Sequence, residues 1–185
     1  SISAMLLSKL NFIITLILIS SFYYNKNMTT TESISLNEAL LPLIKRVLSK
    51  DISLDEKLFS ICEHLQDNVP GFDWVGFYIV DPEVENQLKL GPYVGESTDH
   101  TTIPFGKGIC GQVAVSHKTF VSQDVTEEDN YISCSIHVQS EIVVPIMKKD
   151  RFVAQIDIDS NTKNSISEEK KELLEKICTL LSNEF

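Results

Sequence analysis

Two alternating runs near the C-terminus constrain this chain most. Glu141–Met147 and Arg151–Asp159 are separated only by Lys148–Asp150, so they read as an antiparallel hairpin. A third run, Asp73–Asp81 (D-W-V-G-F-Y-I-V-D), has the same period of two. Trp74, Gly76, Tyr78 and Val80 fall on one of its faces, and Val75, Phe77 and Ile79 on the other. Its expected partner is Leu88–Leu90, across the Asp81–Asn86 turn. Gly91–Asp99 reads as polar and turn-rich. Short strands are expected at Thr101–Phe105 and Thr119–Ser122, with a short helix at Gly111–Ser116. Ser35–Lys50 and Ser53–Asn68 are helical, each opened by an S-x-x-E capping box. Pro42 should kink or split the first. Ser165–Asn183 is a closing helix, with Ser165 and Glu168 as its expected cap. Val125–Gln139 shows little periodicity and reads as a long loop, a length that favours a functional role in a compact domain. This order defines an α+β protein: one mostly antiparallel sheet with helices packed on one face.

Residues 1–27 are a different kind of sequence. All 26 acidic side chains lie after Met28, while Leu10–Tyr24 is an uncharged apolar run. That run is shorter than the roughly 20 residues of a membrane span. After Lys9 it fits the apolar core of a signal peptide, though no small-x-small cleavage site follows. M-T-T-T-E-S-I-S-L from Met28 reads as an initiating N-terminus. The expected division is therefore 1–27, an extension outside the mature protein or a targeting segment, and 28–185, the folded domain. A net charge of −10 and a pI near 4.8 argue against a nucleic-acid partner.

The chemistry gathers around I-P-F-G-K-G-I-C-G, Ile103–Gly111. Its glycines permit φ > 0 and close approach. They set Cys110 just before a helical segment, where the exposed N–H groups favour a thiolate. Gly106, Gly108 and Gly111 also satisfy G-x-G-x-x-G, with Asp124 near the position of a ribose-binding acid. The parallel βαβ unit that this fingerprint needs is missing from the pattern, so the dinucleotide reading is rejected. Of the four cysteines, Cys62 and Cys178 sit in helical apolar stripes and read as buried. Cys110 and Cys134 sit in loop-like contexts and read as a nucleophile with a resolving thiol.

Three acids complete the set. Asp157 and Asp159 share a strand face with Val153 and Gln155, while Phe152, Ala154, Ile156 and Ile158 point to the core. Glu141 opens the partner strand. A solvated sheet edge is the bland explanation. The alternative is a pocket, because three acids near a thiol call for a cation or a proton, and an ammonium-bearing ligand suits. Trp74 and Tyr78 offer an aromatic wall for it, unless they only pack the core. His64, His100, His117 and His137 are scattered, and no metal or organic cofactor is assigned.

D-W-V-G-F-Y, L-G-P-Y-V-G, I-P-F-G-K-G-I-C-G, S-E-I-V-V-P and D-I-D-S, in this order and spacing, resemble the free methionine-(R)-sulfoxide reductases, which are single GAF domains. The resemblance runs from about Ser35 to Phe185. It implies a GAF fold, a central antiparallel sheet flanked by helices, often dimeric. It also implies free methionine sulfoxide as substrate, no cofactor, and a thioredoxin as reductant. Cys134 matches the family nucleophile and Cys110 its second cysteine. Glu141, Asp157 and Asp159 match the acids that hold the ammonium and protonate the sulfoxide oxygen, and Trp74 and Tyr78 match the aromatic wall. Three places depart from the pattern. His100 stands where a third, resolving cysteine is usual. N-Y-I-S-C-S replaces G-H-I-A-C-D around Cys134, and A-Q-I-D-I-D-S replaces G-V-L-D-I-D-S. A reductase is therefore the expected function, with a catalytically impaired GAF module, binding a small ligand or sensing redox state, as the alternative. Thioredoxin recycling implies a reducing cytoplasm; a secretory or membrane location would follow if residues 1–27 act as a targeting segment.

Overall fold

The structure is a computed structural model that describes residues 34–130 and 137–185. Two helices come first, α1 (Leu36–Leu48) and α2 (Leu54–Asn68). Both capping boxes are closed. The Ser35 hydroxyl accepts from the Glu38 amide at 3.2 Å, and the Glu38 carboxylate accepts from the Ser35 amide at 3.0 Å. Ser53 and Glu56 repeat the exchange. Pro42 does not split α1. It removes one backbone donor, but buried Leu40, Ile44 and Val47 on either side hold the helix to the core. In α2 the buried stripe is Leu58, Ile61, Cys62 and Leu65.

The sheet has six strands: β1 (Trp74–Val80), β2 (Gln87–Val94), β3 (Thr102–Pro104), β4 (Phe120–Ser122), β5 (Ser140–Lys148) and β6 (Arg151–Ser160). Their order is β3-β2-β1-β6-β5-β4, and every neighbouring pair is antiparallel. β2 runs further than its sequence suggests. Gly76 pairs with Tyr93 and Tyr78 with Leu90, so Gly91 and Pro92 together oppose Phe77. That is a bulge, the place in a ladder where a residue lacking an N–H can sit.

A second bulge corrects the expected faces of β6. Ile146 pairs with Ala154 but Met147 with Phe152, leaving Val153 as the extra residue. Val153 therefore joins Ala154, Ile156 and Ile158 in the larger core, and Phe152 turns to the opposite face. The larger core lies between the sheet and α1, α2 and the closing helix α4 (Glu168–Leu181). The N-cap of α4 is Ser167, whose hydroxyl accepts from the Lys170 amide, not Ser165. Ser165 instead accepts from the Lys170 ammonium, which also donates to the Pro70 carbonyl at 2.6 Å.

One helix, α3 (Gly108–Ser116), lies on the other face of the sheet, so helices flank both sides. It packs there with Trp74, Tyr78, Leu88, Ile103 and Val143. α3 starts at Gly108, earlier than expected, which places Cys110 in its first turn. The Gly106 amide donates to the Gly111 carbonyl at 2.7 Å, and a Cβ on Gly111 would stand 2.6 Å from the Pro104 carbonyl oxygen. Only glycine allows that crossing. Beyond β4, Val125–Glu127 forms a 3₁₀ turn capped by Asp124, which also pairs with Lys163. Asp124 thus has a structural role remote from any nucleotide. Among the described residues no helix is long and apolar enough to cross a membrane.

Candidate active site

β6 sits in the middle of the sheet, between β1 and β5, so the acids on its α3-facing side are covered. Asp157 is 1% exposed, Asp159 2% and Glu141 5%. This excludes a solvated sheet edge. The register sets them side by side: Glu141 pairs with Asp159 and Val143 with Asp157, while across β1 Trp74 pairs with Asp159 and Gly76 with Asp157. Gly76 matters to this arrangement. A Cβ there would lie 2.2 Å from the Trp74 ring, so the indole leans over the space that glycine leaves.

Burial dominates the electrostatics. It pushes the Asp157 carboxyl up to about 7, against the opposing hydrogen bond from Cys110. Burial raises Asp159 well above the carboxylate range, and the charge of Asp157 adds to it. Glu141 is raised by burial and then by Asp157, Asp159 and Glu128. The Cys110 thiol donates to Asp157 Oδ2 at 3.3 Å. Among the described residues, Asp157 Oδ1 and both oxygens of Asp159 have no hydrogen-bond partner. Such groups are expensive to bury unless something charged meets them.

The aromatic pair is held by backbone acceptors. The Trp74 indole N–H donates to the Glu96 carbonyl at 3.0 Å, and the Tyr78 hydroxyl to the His100 carbonyl at 2.9 Å. Their rings stack at 6.4 Å, and Tyr93 stacks on the other side of Trp74 at 5.4 Å. Trp74 and Asp159 line one cavity, together with Asp73 and Glu96; Cys110, Glu141 and Asp157 line another, together with His100 and Lys107. The single pocket expected from sequence is therefore divided between two cavities. Cys134 lies outside the described residues.

Three further residues gain a place at the site that the sequence left unassigned. Asn130 closes the glycine turn: its side-chain oxygen accepts from the Gly108 amide and its amide donates to the Gly106 carbonyl. His100, at the place of the usual third cysteine, lines the Cys110 cavity. Gln155 is fully buried, with both amide atoms unpartnered among the described residues. Its parity with Asp157 was the available signal. The assembled site is a buried, acid-lined place beside a thiol, able to hold a cationic group and to supply a proton.

A six-stranded antiparallel sheet with helices on both faces and a buried acidic recess beneath a short one defines an α+β domain. Comparisons with known proteins narrow this. The GAF domain model matches residues 51–183. GAF domain-containing protein A of Dictyostelium discoideum is 36% identical over 146 residues, covering 79% of this chain and 90% of that one. The free methionine-R-sulfoxide reductase of Saccharomyces cerevisiae is 38% identical over 111 residues, 60% of this chain and 61% of that one. The X-ray structure of the free methionine-R-sulfoxide reductase of Neisseria meningitidis, in complex with its substrate, superposes with a TM-score of 0.77 at 31% identity, covering 85% of this chain and 92% of that one. The chain belongs to the GAF domain family and, within it, to the free methionine-R-sulfoxide reductases.

Proposed function

We propose that this protein reduces free L-methionine-(R)-sulfoxide to methionine with a cysteine thiolate. Its membership of the reductase family supports an oxidoreductase acting on that substrate. The observation that carries the chemistry is the buried set Asp157, Asp159 and Glu141, all with raised pKa values, the two aspartates with oxygens unpartnered among the described residues, beside the Cys110 thiol. The substrate ammonium is held by Glu141 and its neighbours, and Trp74 with Tyr78 walls the thioether end. The Cys134 thiolate attacks the sulfoxide sulfur. Asp157 or Asp159 gives a proton to the departing oxygen, and an acid titrating near 7 is well matched to that task at neutral pH. Methionine leaves and Cys134 is left as a sulfenic acid. The Cys110 sulfur then displaces water to form the Cys110–Cys134 disulfide. A thioredoxin-like dithiol reduces it, becoming a disulfide itself.

The reading extends to a reducing cytoplasm as the compartment, to a homodimer as the assembly, and to residues 28–185 as the working domain. A stopped reaction tests the core of it. Pre-reduced full chain is mixed with the sulfoxide and no reductant, and methionine formed and thiols lost are both counted. One methionine and two thiols per chain are expected. Binding without methionine at millimolar substrate would overturn the enzyme and leave a ligand-binding module.

A further inference from the structure

We propose that the cavity beneath the first turn of α3 also binds one thiophilic divalent cation, zinc or cadmium, through Cys110, Glu141 and Asp157. One donor atom from each of these three lies within 4.8 Å of the others. The Cys110 Sγ to Asp157 Oδ2 separation is 3.3 Å. A tetrahedral zinc with sulfur at about 2.3 Å and oxygen at about 2.0 Å sets that edge at about 3.5 Å. The three donors come from α3, β5 and β6, whose mutual positions the sheet and its packing fix.

Acids and one thiol would not suffice alone. Asp157, 1% exposed, lines this cavity, and its Oδ1 has no hydrogen-bond partner among the described residues, so a buried carboxylate oxygen there is left for a cation. His100 lines the same cavity and brings a further zinc-binding residue type to its wall. The Tyr78 hydroxyl and Thr98 Oγ1 hold the His100 backbone in place. A mixed set of sulfur and oxygen, with imidazole near, selects zinc or cadmium over magnesium or calcium, which take oxygen alone. On binding, Cys110 loses its thiol proton to solvent, as do Glu141 and Asp157 where they are protonated, and the sulfur–metal and oxygen–metal bonds form; nothing is oxidised or reduced. Ion and substrate ammonium would draw on the same Glu141 and Asp157, so bound zinc would block the proposed reaction. That last step rests on the reductase reading, whereas the binding itself does not.

The test uses the ion alone. The reduced full chain carrying Cys134→Ser, which removes that thiol from the count, is titrated with cadmium and followed by sulfur-to-cadmium charge-transfer absorption. One ion per chain is expected. The absorption should vanish when Cys110→Ser is added, and the affinity should fall at least tenfold with Glu141→Gln. That second change removes a buried acid at constant volume, so the chain stays folded. No absorption at millimolar cadmium, or absorption unchanged by either substitution, would overturn the proposal. Because no sulfoxide is present, the result is independent of whether the chain is a reductase.

Discussion

At the residue scale, the buried acids exchange stability for chemistry, and the pH dependence shows it. Asp157 titrates near 7 in the fold and near 3.9 when unfolded. Between these values the unfolded chain loses its proton first, so the contribution of Asp157 to stability falls as pH rises from about 4 to about 7 and stays low above. Asp157→Asn should therefore stabilise the protein more at pH 8 than at pH 5, by urea denaturation at both, while sharply reducing single-turnover methionine formation. An equal effect at the two pH values would contradict the raised pKa. The two thiols should separate likewise. Cys134→Ser abolishes reduction, whereas Cys110→Ser allows one methionine per chain and blocks thioredoxin-dependent cycling; full cycling without Cys110 would remove it as resolver.

At the element scale, glycine placement matters more than helix propensity. Gly111 lies inside α3, where alanine would ordinarily gain about 1 kcal/mol. Here the added Cβ would meet a backbone oxygen at 2.6 Å, so Gly111→Ala should lose about 1–3 kcal/mol in chemical denaturation. Pro42→Ala should do the opposite. The site is exposed on an unbroken helix, and restoring its N–H should gain about 1–2 kcal/mol. The elements themselves were largely legible, since period and capping residues are local signals. The exceptions came from pairing. Only the partner strand reveals that Gly91 and Pro92 continue β2 through a bulge, or that Val153 is an inserted residue that reverses the face of Phe152. Ser165 looked like a cap because Glu168 follows at the right spacing, but Lys170 draws it into a different contact. In the site, parity grouped Asp157 with Asp159, yet burial depended on β6 being central, which no single strand discloses. The contact between Cys110 and Asp157 was hidden for the same reason, the two being 47 residues apart.

At the scale of the whole molecule, the sheet separates two unlike interiors. One face holds hydrocarbon under three helices; the other holds the acids, the aromatic stack and α3. The proposed capture of a free amino acid rests on the second. N-acetylated methionine sulfoxide, lacking the ammonium, should fail to raise the melting temperature under conditions where the free amino acid does; equal shifts would remove the acids as the ammonium site. The same partition has a consequence for folding. Along β6, Ile156, Asp157, Ile158 and Asp159 alternate between these interiors. A slip of one residue would press two carboxylates into hydrocarbon and turn two isoleucines toward the acids, a swap costing several kcal/mol per buried charge. The residues that would serve the substrate thus act earlier as proofreaders of strand alignment, so that a misaligned chain is rejected before any ligand arrives.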